Sequence, residues 1–388
     1  MADATHRPVT RQPPLDKGYF SIGAYGGAAY GWNHRAVVEY MSRHYGEQLV
    51  RGNPEHDSIE RTMATLYIDS ANPILRREAT KAFVALVRSF GLRLARTTNN
   101  LSPGQNGYLY RIICHYLVQG LRADEIAIVT FNQDIQVEKA LWSLCTARKW
   151  RSKQLFRFPG CYCLGLDEYG ITTPNDVDGL LFPVDLTDGG VRVLKLHGSF
   201  NWFGEFDVRT AAKIRMQDFT ATDLFQRDSP IKVSRLTTLL DRVDFIMTAP
   251  VIVPPVSTKS AIMHERVSAC WIRAEQELLD ASEILVFGYS CPTTDYESTN
   301  LIRRVMGKGR CGNLVIIDPS PATLSRYVQL TDSARISYYR SAEHFLGQLP
   351  GRRQLRLKGK ASGKRAVRGR AAKIPVRKVP AQSPFWKR

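Results

Sequence analysis

Four short apolar runs constrain this chain more than any other feature. They are "EIAIVTF" at 125–131, "RVLKLHG" at 192–198, "EILVFGY" at 283–289 and "NLVIIDP" at 313–319, and each closes on a polar or glycine turn. A helical pattern follows the first ("IQVEKALWSLC"), the third ("DYESTNLIRRVM") and the fourth ("ATLSRYVQL"). Continuous apolar strands are buried on both faces, so alternation with helices predicts a parallel sheet covered on both sides. "ARISYY" at 334–339 predicts a last strand and "SAEHFLGQL" a closing helix. The expected fold class is α/β, with a Rossmann-like parallel sheet and helices on both faces.

Upstream of these runs, "GYFSIGAYGGAAYGWN" at 18–33 pairs a short apolar piece with a glycine-rich turn. Residues 34–122 then show apolar side chains at three- and four-residue spacing, which predicts a helical insertion. Asp57 and Ser58 are the expected caps before Ile59. Residues 150–190 and 204–247 are less regular and read as surface insertions. The expected organisation is a flexible polar arm over 1–17, a sheet domain over 18–350 and a disordered basic tail over 351–388.

Charge is concentrated at one end. The 388-residue chain carries +18, but residues 351–388 hold 14 Lys/Arg and no Asp/Glu. The other 350 residues keep 54 − 14 = 40 basic against 36 acidic side chains, a balance of +4. The tail suits nucleic acid, acidic lipid or an acidic partner, or simply solubilises the chain. The seven cysteines are scattered and odd in number, as expected of a reducing cytoplasmic compartment. Cys161 and Cys163 form C-x-C without a second pair, so no structural zinc or other metal is expected. No apolar run approaches the roughly 18 residues that span a bilayer. The polar start has no apolar core of a secretory signal.

In an open parallel sheet, ligands bind beyond the carboxyl ends of the strands. The residues closing these runs are therefore candidates: Asn132, Asp134, His197, Gly198, Gly288, Ser290 and Asp318. An amide, an imidazole, small residues and carboxylates suit a nucleotide with a reactive end. Each residue also has a plainer reading. Asn132 suits a cap for the helix from Ile135, His197 a buried backbone-bonded histidine, Ser290 a loop residue and Asp318 a turn before Pro319.

Five stretches stand in the order and approximate spacing of the bacterial sirtuin-like proteins, many of which are NAD-hydrolysing effectors of anti-phage defence. They are "TFNQDIQVEKAL", "LKLHGSFNW", "VIVPPVSTK", "LVFGYSCPTTDYE" and "VIIDPSP". The resemblance covers residues 18–350 and implies NAD as substrate without a metal. It implies that Asn132 contacts the nicotinamide-side ribose or orients the attacking water. His197 matches the catalytic histidine, a general base. Asp134 falls in the nicotinamide pocket, Gly288 and Ser290 by the ribose and phosphates, and Asp318 by the adenosine ribose. Gly23, Ala24, Gly26, Thr130, Phe131, Gly198 and Tyr289 complete the implied NAD-binding set. Asp295 falls in the pattern without a role.

Two departures stand out: Tyr25 replaces the central glycine of the family's first loop, and Gln133 replaces an aromatic. The missing cysteine pairs disfavour a zinc-bearing protein deacylase. The resemblance implies an NAD glycohydrolase triggered by assembly or by a partner ATPase or other sensor, with homo-oligomers expected and no membrane association. The alternatives are a non-catalytic nucleotide-sensing or nucleic-acid-binding component, or a zinc-free deacylase.

Overall fold

The helical spacing upstream of residue 122 becomes four helices in a computed structural model of the chain. They are α1 (Ala28–Tyr45), α2 (Ile59–Ala71), α3 (Arg76–Asn100) and α4 (Pro103–Val118). The structure describes residues 28–46, 58–100, 103–146, 155–158, 160–163, 190–207, 216–221, 246–253, 265–292, 295–331 and 335–349. The arm at 1–17, the first-loop positions Gly23, Ala24, Tyr25 and Gly26, and the tail at 351–388 lie outside the described residues. The chain partitions after Gln348.

Ser58 caps α2: its hydroxyl oxygen accepts the Arg61 N–H at 3.1 Å, satisfying one of the unpaired donors of a first turn. Asp57 lies outside the described residues. Buried Asp69 accepts from the hydroxyls of Tyr40 at 2.8 Å and Tyr45 at 2.6 Å, tying α2 to α1. Both helices pack on α3.

Among the described residues, eight strands follow: β1 (Ala127–Thr130), β2 (Arg192–Lys195), β3 (Gly198–Asp207), β4 (Met216–Ala221), β5 (Ile246–Ile252), β6 (Glu283–Phe287), β7 (Asn313–Ile317) and β8 (Arg335–Tyr339). β1 and β2 pair in parallel from Ala127↔Arg192 to Thr130↔Lys195. β6, β7 and β8 form a second parallel group in that order. The fold is α/β with small parallel sheets.

The sequence reading did not anticipate an antiparallel group among the described strands. The described strands form three hydrogen-bonded groups, and the third, in the order β4-β3-β5, is antiparallel. β4 lies within the segment 204–247 read as irregular insertion, and β3 and β5 overlap its two ends. The reason is local. Pro250 sits inside β5 without an N–H to donate, and the β3–β5 register shifts between Ser199 and Phe203, where Phe203 faces Pro250. Proline and a bulge disrupt the two-residue alternation that marks a strand. On α3, a β-carbon at Gly91 would stand 2.6 Å from Pro250 Cγ, so the missing side chain lets the helix approach β5.

Among the described residues, the further α-helices are α5 (Gln136–Thr146), α6 (Glu265–Asp280), α7 (Tyr296–Lys308), α8 (Pro321–Val328) and α9 (Ala342–Gln348). α6, which the sequence reading did not single out, packs on β2 and α7. One core joins the helical insertion to the strands, from Val37, Leu66 and Leu86 to Val193, Phe200, Trp202 and Ile316. Among the described residues, no helix is long and apolar enough to cross a membrane.

Candidate functional site

β2 ends one turn before the histidine. Its last strand residue is Lys195; Leu196 and His197 form a two-residue turn, and Gly198 opens β3. His197 therefore joins a parallel strand to an antiparallel one, rather than closing a strand itself. Three backbone groups of this turn are anchored. Leu196 N–H donates to Thr130 C=O at 3.0 Å, and Val253 N–H donates to His197 C=O at 3.0 Å. The Trp271 indole N–H on α6 donates to Leu196 C=O at 2.7 Å. Gly198 has φ +73°, and a β-carbon there would lie 2.0 Å from Val251 C=O. Only glycine permits both the left-handed backbone and that approach.

The imidazole is buried among aromatic rings. Phe131, one residue beyond β1, has its centroid 5.5 Å from His197, and Trp271 lies at 6.1 Å. Phe131 stacks on Tyr289 at 4.0 Å with planes 19° apart. Tyr289 stands two residues beyond β6, so this stack brings together the carboxyl ends of β1 and β6, which belong to different hydrogen-bonded groups.

Asp295 adds charge to the cluster. Its Oδ2 lies 4.0 Å from His197 Nε2 and accepts the Tyr289 hydroxyl at 3.3 Å. Its Oδ1 accepts Ser298 N–H at 3.4 Å and caps α7. Burial first, then the Asp295 charge, pushes the Tyr289 hydroxyl above its ordinary range, so it stays a donor at neutral pH. Burial likewise raises the Cys291 thiol, and it pushes Cys270 up to about 12. Neither thiol is a thiolate nucleophile at neutral pH.

The remaining candidates separate into two groups. Asn132 is exposed, and its backbone N–H donates to Thr130 Oγ1 at 3.1 Å. The helix-capping role lies two residues on, where Asp134 Oδ1 accepts Gln136 N–H at 3.0 Å and opens α5. Thr130, Phe131, Asn132 and Asp134 thus share one strand end with the His197–Gly198 turn. The second group lies at the ends of β6 and β7. Gly288, at φ +67°, donates its N–H to Ile317 C=O at 3.0 Å. Ser290 C=O accepts from the Arg326 guanidinium at 2.8 Å. Asp318 is buried, and its Oδ1 accepts Ser320 N–H at 2.8 Å and the Thr323 hydroxyl at 3.0 Å, which opens α8. Tyr289 belongs to both groups, because its C=O also accepts the Tyr327 hydroxyl at 3.4 Å.

No protein-family model matches the chain, and no curated protein matches it. Among the described residues, no cluster of three or more His, Cys, Asp or Glu side chains is placed to hold a metal ion. The chemistry open to the site is set by its own groups. They are a buried imidazole beside a carboxylate, an exposed carboxamide one strand away, and aromatic walls.

Sequence reasoning missed Trp271, because it did not single out the helix α6 that carries it. It noticed Asp295 without assigning it a role. The position of Asp295, between a strand-end turn and a helix start, was the available signal.

Proposed function

We propose that this protein is a sirtuin-like NAD glycohydrolase that cleaves the nicotinamide–ribose bond. The observation that supports this reading is the convergence of three strand ends, those of β1, β2 and β6, on His197, with Asn132 two residues beyond β1. In this reading the two parallel groups belong to one Rossmann-like sheet, and the dinucleotide lies across their carboxyl ends.

His197 takes a proton from water as the water oxygen bonds to C1′ of the ribose. The C1′–N bond breaks, its electron pair neutralises the pyridinium, and nicotinamide leaves. ADP-ribose and one proton complete the balance. The imidazole suits this because its ordinary pKa near 6.5 allows proton transfer at neutral pH. Asn132 orients the water or a ribose hydroxyl through its amide, which donates and accepts but is no base. The partly buried rings of Phe131 and Trp271 beside His197 limit the access of bulk solvent, which strengthens the field acting on an oxocarbenium-like transition state. A role in anti-phage defence, with triggering by assembly or by a partner, follows from the sequence resemblance alone.

A second reading is a nucleotide sensor without turnover. Tyr25 in the first glycine-rich loop favours it. Incubating the full chain with NAD and measuring free nicotinamide separates the two. His197→Ala and Asn132→Ala are each expected to lower turnover by about 10²–10⁴-fold while melting like wild type. Full turnover by a folded His197→Ala protein removes that residue from the mechanism. Calorimetric binding of NAD without nicotinamide release selects the sensor, and no binding rejects NAD as ligand.

A further inference from the structure

We infer that Lys195 and Glu138 form a positioning pair that fixes the Asn132–Asp134 loop against the His197 turn. Lys195 is the last residue of β2, and Glu138 lies in the first turn of α5. Their side chains meet at 3.0 Å and both are 0% exposed. Lys195 Nζ also donates to the Asp134 carbonyl. Glu138 Oε1 accepts the Tyr162 hydroxyl at 3.0 Å, and Tyr162 in turn accepts from Asn201 Nδ2 at 3.1 Å. The Ser199 hydroxyl lies 2.5 Å from Asn201 Oδ1 and 3.3 Å from the Gln133 carbonyl. Phe200 N–H donates to that same carbonyl at 3.0 Å.

The network has a direction. Both carbonyls that follow Asn132, those of Gln133 and Asp134, are held by donors from the segment 195–200, which also carries His197. The two candidate catalytic groups are thereby set relative to each other through buried bonds. Stability alone does not explain the pair. Apolar side chains of similar volume replace buried ion pairs with little loss, because desolvation cancels much of the attraction. What an apolar residue at 195 could not supply is a donor for the Asp134 carbonyl, which would be left unpaired in a dry interior. Glu138 then serves to make the burial of that ammonium tolerable.

Lys195→Met alone is a poor test, since it leaves Glu138 buried without its counter-charge and threatens folding. The double variant Lys195→Met/Glu138→Gln removes both charges, keeps a carbonyl acceptor for Tyr162 and deletes the ammonium donor. Three quantities are measured on the full chain: melting temperature, amide exchange of residues 132–136 and 200, and steady-state NAD cleavage. The double variant is expected to fold cooperatively and to melt somewhat below wild type, because the Asp134 carbonyl loses its donor. Its exchange at those amides is expected to rise about tenfold, locally rather than globally. Its kcat is expected to fall about tenfold with KM little changed, because orientation rather than binding is lost.

The kinetic arm rests on the NAD glycohydrolase reading, whereas the exchange arm does not. Faster exchange at 132–136 in a protein that never cleaves NAD upholds the positioning role and rejects the functional reading. Unchanged exchange in the folded double variant overturns the positioning role, whatever the wild type does with NAD. Faster exchange with wild-type kcat overturns it too.

Discussion

Gly198 and Gly288 share a left-handed backbone, with φ +73° and +67°, yet they face opposite surroundings. A β-carbon at 198 would strike Val251 C=O at 2.0 Å, whereas one at 288 would meet nothing within 4 Å. Gly288→Ala should therefore cost only the left-handed penalty, about 1–2 kcal/mol. Gly198→Ala adds a backbone clash that separates β3 from β5, and should exceed about 3 kcal/mol. Urea unfolding of both variants checks the order, and equal losses would mean that the β3–β5 approach yields easily.

His197 was legible in the sequence because a polar residue closing an apolar run is conspicuous. Lys195 was not, although it lies two residues away. A lysine near a strand end ordinarily reaches solvent with its ammonium, and nothing nearby signals burial. Its partner Glu138 is 57 positions distant, and the proximity of Tyr162 and Asn201 exists only once the chain has folded.

At the scale of elements, α6 and α7 are joined by a two-pronged ion pair. Arg304 Nε and Nη2 donate to the two oxygens of Glu275 at 2.6 and 2.8 Å. These hydrogen bonds, above all, hold the Glu275 carboxyl below its ordinary 4.5. The sign follows: a carboxyl more acidic in the folded state stabilises the protein above the unfolded pKa. That contribution is lost as pH falls through 4.5 toward the lower folded value. Partial exposure limits it to about 0.5 kcal/mol. Arg304→Met should flatten the acid limb of a Tm-against-pH curve between about pH 5 and 3. Arg304→Lys should recover little, since an ammonium lacks the planar fork. An unaltered acid limb in Arg304→Met would mean that the pair is spent against solvent.

Strands written as short continuous apolar runs were the easiest to read. The ends of β1, β6, β7 and β8 fall within two residues of the expected runs, and the expected helices after β1, β6 and β7 are present as α5, α7 and α8. β4 and β5 were not legible. "MQDFTA" and "IMTAPVI" mix polar residues, a proline and apolar ones without alternation, because their pairing through β3 is bulged. Three elements held by partners distant in sequence leave only a weak local pattern.

For the whole molecule, the sequence places net charge and candidate site in different parts of the chain. Residues 351–388 carry 14 basic side chains, while the other residues balance to +4. Removing 351–388 should abolish most binding to DNA or RNA and leave the melting of the remainder unchanged. Gel shifts across a salt series check this, with a log–log slope for the full chain of about −0.9 per duplex phosphate contacted. A truncated protein that binds DNA as tightly as the full chain would place the basic surface elsewhere.

The β1–β2 pairing has a consequence in time. Ala127 faces Arg192, so 192 − 127 = 65 residues must be synthesised before β1 can meet its partner. At roughly 5–20 residues per second, the nascent strand waits about 3–13 s with its edge unpaired. An apolar edge left open for seconds is a template for the wrong neighbour. Soluble yield should therefore depend on what shields "AIVT" during translation, such as a chaperone that holds unfolded chains, even though the finished core is well packed.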